Sequence, residues 1–197
     1  AHGHPSALSI QVPHGAALAG STPTSETAYA FRQHPPVTES DNLVLWYVFE
    51  DMNQSVIADF SGNDNHGTLS GNGSLVPGKF SHSLDLQPSE SLSADGVRLS
   101  LSSEVSLSAW TKIRDDDYGI IAQSGQVRLE YHDDNTIRAA VRIGNTWREL
   151  RARSVLGKWV HYGLTYDGTS LRLFVNGVKS DELALTGNLY ASNEALF

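Results

Sequence analysis

Apolar and polar side chains alternate with a period of two through most of the chain after residue 42. The clearest case is residues 159–178, WVHYGLTYDGTSLRLFVNGV. Its first half is apolar on both faces, which is typical of a strand covered on both sides. Asp167-Gly168 and Asn176-Gly177 indicate turns, because Gly adopts positive φ without steric cost and Asn-Gly is the strongest short hairpin signal. This stretch therefore predicts two antiparallel strands within a sheet.

The runs between residues 43 and 158 have the same character. They are short, they alternate, and Gly, Asn, Asp or Ser separates them; examples are LVLWYVFED, VSLSAWTKI and NTIRAAVRIG. No segment shows a sustained helical period with capping residues. The pattern therefore predicts an all-β fold, an antiparallel two-sheet sandwich or jelly roll.

Residues 1–42 differ in composition from the rest of the chain. Five of the seven prolines fall within them, and charged residues are few. Residues 7–12 and 27–32 nevertheless alternate in the manner of strands. We interpret residues 1–42 as an extended N-terminal arm or linker before a domain at 43–197. The arm is either a flexible leader or a segment that adds a strand to another surface.

Charge and cysteine content exclude several classes of function. The net charge of −8 argues against a general nucleic-acid or anionic-membrane binder. The chain has no cysteine, so it has no disulfide framework, zinc-thiolate site or cysteine nucleophile. No apolar run approaches the ~20 residues that span a bilayer, so we expect no membrane insertion. The first residue is Ala1, which would fit a removed signal peptide or simple methionine removal.

Five stretches together resemble the laminin-G-like, concanavalin A-like jelly-roll family of surface proteins. They are LVLWYVFED, DFSGNDNHGTLSG, GKFSHSLDL, VSLSAWTK and KWVHYGLTYDGTSLRLFVNGV, in the family's order and at about its spacing. The resemblance covers residues 43–197 and implies a jelly-roll sandwich. It also implies that the domain lacks the family's last strand, which pairs beside the first. We hypothesise that a strand from residues 1–42 completes the sheet, in cis or from a neighbouring subunit.

A glycine-rich loop holds the candidate calcium ligands. Asp59, Asn63, Asp64 and Asn65 could turn oxygens onto one hard cation, with Ser61 nearby. The resemblance implies the same, because the matching loop is a frequent calcium position in the family. The alternative is that these side chains bond their own backbone in Asx turns.

Arginines supply the candidate ligand-binding surface. Arg138 and Arg142 alternate with apolar residues, so they share one face of a strand, and Arg151 lies on a neighbouring run. Guanidinium groups pair bidentately with oxyanions, which favours a carboxylated or sulfated polysaccharide as the ligand. Trp147 is the candidate aromatic platform for a sugar ring. The alternative is a solvated face on which glutamates neutralise the arginines. We expect the other tryptophans, Trp46, Trp110 and Trp159, to be core residues.

Nothing in the sequence indicates a catalytic site. No strand shows the alternating carboxylates of a retaining glycosidase, and Glu130 is alone on its strand. Motifs for a serine nucleophile, a zinc protease or a phosphate loop are also missing. We therefore expect a non-catalytic module of an extracellular, cell or virion surface, which binds glycan or matrix in adhesion or assembly. One alternative is a structural subunit of a filament whose arm completes a neighbour's sandwich. The other is a glycosidase relative.

Overall fold

A computed structural model describes residues 43–50, 52–94, 103–114, 118–192 and 194–196, and the backbone of residues 7–11. All regular elements in these ranges are strands, and every ladder between them is antiparallel. The expected all-β antiparallel sandwich is therefore confirmed. Within the same ranges, no helix of membrane-spanning length and apolarity occurs.

The strands form two main sheets and two small ones. In chain order they are β1 (Ala7–Gln11), β2 (Leu43–Tyr47), β3 (Met52–Asn53), β4 (Val56–Ile57), β5 (Gly67–Ser70), β6 (Ser74–Pro77), β7 (His82–Asp85), β8 (Ser91–Ser93), β9 (Val105–Lys112), β10 (Gly119–Gln123), β11 (Val127–His132), β12 (Thr136–Ile143), β13 (Thr146–Arg153), β14 (Trp159–Tyr166), β15 (Ser170–Val175) and β16 (Val178–Ala184). The six-stranded sheet has the order β16-β15-β14-β9-β1-β2, and the four-stranded sheet has the order β10-β11-β12-β13. The small sheets are β3-β4-β5-β8 and β6-β7.

The core lies between the two main sheets. Leu107, Leu164 and Leu173 enter it from the six-stranded sheet, while Leu129 and Ile137 enter it from the four-stranded sheet. Each of these side chains is almost completely buried. Period-two alternation thus gives each main sheet one face toward the core and one face outward.

The hairpin region indicated by the sequence is present. β14 and β15 pair with each other, and β14 also pairs with β9, so it is an interior strand. Gly168, Asn176 and Gly177 have φ of 83°, 50° and 79°, as the predicted turns require.

Strand β1 occupies an interior position of the six-stranded sheet. It pairs antiparallel with β9 on one side and with β2 on the other. A strand from the arm therefore lies beside the first strand of the domain. The other strand-like stretch of the arm, residues 27–32, falls outside the described residues. Strand donation to a neighbour and the lack of a last family strand both stay predictions.

The expectation that all three tryptophans are core residues is wrong for Trp110 and Trp159. β9 and β14 alternate, and their buried positions face the sandwich, so these two side chains lie half-buried on the outer face of the six-stranded sheet. Trp46 is buried, but it belongs to a separate small cluster with Leu43, Val48 and Phe60. Apolar character alone does not say which face of a strand a side chain occupies.

Candidate functional site: the arginine face

The candidate ligand-binding residues meet on the outer side of the four-stranded sheet, here called the arginine face. Cross-strand partners point to the same side of a sheet. Arg138 lies opposite Arg151, and Arg142 lies opposite Trp147. Arg128 is opposite Ala140, which lies between Arg138 and Arg142 in the alternation of β12. The arginine face therefore consists of these side chains, Glu130 and Glu149.

Ala140 lies at the centre of this face, and it is buried. Its neighbours on the same strand and the same side are Arg138 and Arg142, and its cross-strand partners are Arg128 and Glu149. One methyl group is thus surrounded by four long charged side chains. Three of the four are arginines, so positive charge predominates around Ala140.

Two arginines of the face are stacked on aromatic rings. The guanidinium carbon of Arg128 lies 3.9 Å from the ring centre of Trp147, and that of Arg142 lies 3.8 Å from the ring centre of Tyr190. Such cation–π stacking fixes the guanidinium planes and the positions of their donors. Trp147 therefore supports Arg128, and one face of its ring is covered.

Tyr190 was missed by sequence reasoning because it belongs to no alternating run. It is held beside β12 by backbone contacts. Its N–H donates to the carbonyl of Arg142 at 2.7 Å, and its own carbonyl accepts from Gln126 Nε2 at 2.5 Å. A chain segment after β16 thus contributes an aromatic ring to the site.

The arginines differ in their acidic partners. Arg138 pairs with Asp134 at 2.9 Å, and Arg151 pairs with Glu149. The hydrogen bond from Thr136 and the nearby Arg138 lower the pKa of Asp134, and Glu149 raises the pKa of Arg151. Within the described part of the chain, Arg142 forms no ion pair with a carboxylate.

Three guanidinium donors of the face have no acceptor among the residues that the structure describes. The Nε–H groups of Arg128, Arg138 and Arg142 are enclosed, and none of them meets a hydrogen-bond acceptor in the described residues. Enclosed polar groups normally find a partner in protein or solvent. An external ligand does not reach enclosed atoms, so it would meet only the exposed parts of these side chains, which are 37% exposed in Arg128 and 21% exposed in Arg138.

Glu130 is the buried carboxylate of the face. Its Oε1 accepts from the hydroxyl of Tyr118 at 3.2 Å, and its Oε2 lies 3.3 Å from Nε2 of His132. Arg128 Nη1 is 3.7 Å from Oε1. Burial and the carboxylate raise the pKa of Tyr118. The carboxylate is thus held by three side chains at one edge of the positive surface.

The candidate calcium ligands brace the first strand of the domain. Asp59 Oδ1 accepts from the N–H groups of Trp46 and Ser61, and Oδ2 accepts from the hydroxyl of Ser61 and the N–H of Asn65.

The side chains of Asn63 and Asn65 also form hydrogen bonds to the first strand of the domain. The side-chain amides of Asn63 and Asn65 donate to carbonyls of Leu43 and Val44. Asp64 is exposed, with φ of 55°. The contact of Asp59 with the Ser61 N–H matches the Asx-turn alternative, whereas Asn63 and Asn65 bond strand β2 instead of their own backbone. No group of three or more His, Cys, Asp or Glu residues suited to a metal occurs in the described ranges. Calcium binding by this loop stays a prediction.

Comparison with known proteins places the chain in a family. No curated protein matches the sequence. Among solved structures, a similar one is domain 4 of AbnA, a GH43 extracellular arabinanase from Geobacillus stearothermophilus, in complex with arabinotriose. The identity is 17%, the TM-score is 0.49, and the alignment covers 71% of this chain and 75% of that chain. The family described as the concanavalin A-like lectin/glucanases superfamily matches residues 87–197, which is more than half of the chain. The chain therefore belongs to the concanavalin A-like lectin/glucanase superfamily, as the resemblance of its sequence motifs implied.

Proposed function

We propose that the protein is a non-catalytic carbohydrate-binding module that holds a carboxylated or sulfated polysaccharide on the arginine face. The observation that supports this most is the convergence of Arg128, Arg138 and Arg142 around Ala140, where Arg142 has no carboxylate partner among the described residues. Carboxylate and sulfate oxygens are the acceptors that a planar guanidinium group binds best.

An extended ligand suits this surface better than a small anion. Four strands about 4.8 Å apart make a face roughly 15 Å wide, and arginines lie on three of these strands. A polymer with repeated acidic groups contacts several of them at once, which raises the effective concentration of each further contact. The overall negative charge of the protein limits this attraction to one surface.

Affinity chromatography tests the proposal. The full chain is applied to immobilised heparin, alginate and a neutral glucan at low salt. We expect retention on the acidic polymers only, and we expect Arg138→Ala/Arg142→Ala to elute at lower salt. The matched control is Arg172→Ala/Lys179→Ala, which removes two positive charges from the six-stranded sheet. Equal loss in both double variants would show that net charge alone governs retention.

A separate measurement tests whether the protein cleaves the polysaccharide that it binds. The Glu130 carboxylate is already engaged by Tyr118, His132 and Arg128, which supports a binding role for this edge of the face. Polysaccharide retained by the protein should keep its chain length after long incubation. New reducing ends or unsaturated sugar ends that require Glu130 would replace this proposal with an enzymatic one. We place the module at an extracellular, cell or virion surface, where such polymers are found.

A further inference from the structure

β1 fills the space between β9 and β2, and this space is here called the slot. The backbone of residues 7–11 pairs with β9 along its whole length and with β2 at four positions. β9 and β2 are both next to β1 in the strand order, and they form no ladder with each other in the described residues. Without β1, two rows of main-chain donors and acceptors would be open in the middle of the sheet.

The connection between β1 and β2 is far longer than the register requires. Gln11 and Leu43 are cross-strand partners, so their Cα atoms lie about 5 Å apart. Antiparallel neighbours are usually joined by about 2–5 residues. Here residues 12–42 make the connection, and a chain of that length can extend over roughly 100 Å. The connection therefore has the reach to place the same five residues in a neighbouring molecule.

We propose that β1 is an exchangeable strand, and that the slot between β9 and β2 also accepts residues 7–11 from a second copy of this chain. The donor sequence, the slot and the ladder are the same within and between molecules, so effective concentration decides between them. Attachment to the same chain gives β1 an effective concentration of roughly 1 mM at its own slot. In dilute solution, β1 should occupy the slot of its own chain. At a local concentration above this value, β1 should enter the slot of a neighbouring chain. This mode of assembly is independent of the arginine face.

The lack of cysteine makes the exchange measurable by disulfide trapping. Ser9 and Ser108 are cross-strand partners, at a separation that a disulfide can span. The full chain carrying both Ser9→Cys and Ser108→Cys, oxidised when dilute, should form a disulfide within the molecule. Two single variants, co-expressed and concentrated to about 1 mM before oxidation, should form a covalent heterodimer in which mass spectrometry finds positions 9 and 108 linked.

Two controls separate exchange from random collision. Ser9→Cys combined with Val178→Cys should give no comparable heterodimer, because Val178 is exposed on β16 at the other end of the strand order. Adding Ile10→Pro to the Ser9→Cys chain should abolish the heterodimer, since proline removes a ladder N–H from an interior strand.

Two results would overturn the proposal. Failure of the double variant to close within the molecule would refute the register on which the slot depends. Efficient closure of that variant, together with no 9–108 heterodimer from the concentrated pair, would show that β1 does not exchange.

Discussion

Arg138 on β12 lies directly opposite Arg151 on β13, and each guanidinium is paired with a carboxylate nearby in its own chain segment. Like charges in directly opposed positions of a sheet destabilise it. Asp134 and Glu149 offset this repulsion in part, and an oxyanion bound between the two strands would offset it further. The same arrangement that weakens the free sheet thus favours binding of an acidic ligand.

Heparin should therefore raise the melting temperature of the protein. At a hundredfold excess over the dissociation constant, ligand binding stabilises the folded state by about 2.7 kcal/mol. For a domain of this size, that corresponds to a Tm increase of roughly 5–10 °C. Differential scanning fluorimetry at constant ionic strength measures it. The increase should be much smaller in Arg138→Ala/Arg142→Ala, and an equal increase in both proteins would locate the binding elsewhere.

Asp59→Ala should destabilise the fold although Asp59 lies in a loop. The carboxylate is buried and accepts from three backbone N–H groups, those of Trp46, Ser61 and Asn65. Leaving enclosed donors without an acceptor costs about 3 kcal/mol in total. Urea denaturation should show this loss, whereas Asp64→Asn, at an exposed position of the same loop, should change stability by less than about 0.5 kcal/mol. Similar values for both variants would contradict the bracing role.

The same loop allows a direct test of calcium binding. Both oxygens of Asp59 accept from protein donors, and if these contacts are purely structural, EDTA and CaCl₂ should give the same Tm. A bound structural ion would instead raise Tm in proportion to the logarithm of its concentration. A calcium-dependent increase that disappears in Asp59→Asn would establish the metal site that the loop composition indicates.

Acidification below about pH 4 should remove part of the stability through Asp167. Hydrogen bonds from Arg172, Thr169 and Ser170 lower the pKa of this carboxyl below the unfolded value of about 3.9. Its contribution is therefore fully present above that value and is lost as pH falls through the folded pKa.

Asp167→Asn should flatten the stability profile between about pH 4 and pH 2. Asp181→Asn, an exposed position on β16, is the matched control and should keep the slope of the original protein. Because Asp167 is exposed, the difference at neutral pH should be modest, roughly 0.5–1 kcal/mol. Identical slopes of stability against pH in the two variants would contradict the contribution of Asp167.

At alkaline pH, ionisation of the buried tyrosines should destabilise the folded state. Burial raises the pKa of Tyr162 to about 12, and burial together with Asp59 raises the pKa of Tyr47. A raised folded pKa means that stability is complete below the unfolded value of about 10 and declines as pH rises above it. Tyr162→Phe should reduce this decline. Phenolate absorbance that develops fully before the loss of near-ultraviolet circular dichroism would contradict it.

The sequence by itself determined the local part of this structure. Period-two alternation with Asp-Gly and Asn-Gly turns was sufficient for β14 and β15, because strand direction and turn type depend on neighbouring residues. The same periodicity correctly placed Arg138 and Arg142 on one side of β12. Family membership also followed from the order and spacing of the motifs.

Only the tertiary structure decided which strands are neighbours and what lies on each face. It placed β1 between β9 and β2, turned Trp110 outward, brought Tyr190 under Arg142, and set Ala140 among three arginines. None of these relations is local, because cross-strand pairing joins residues far apart in the chain. A shift of register by one residue would exchange the two faces of a strand while the sequence stayed the same.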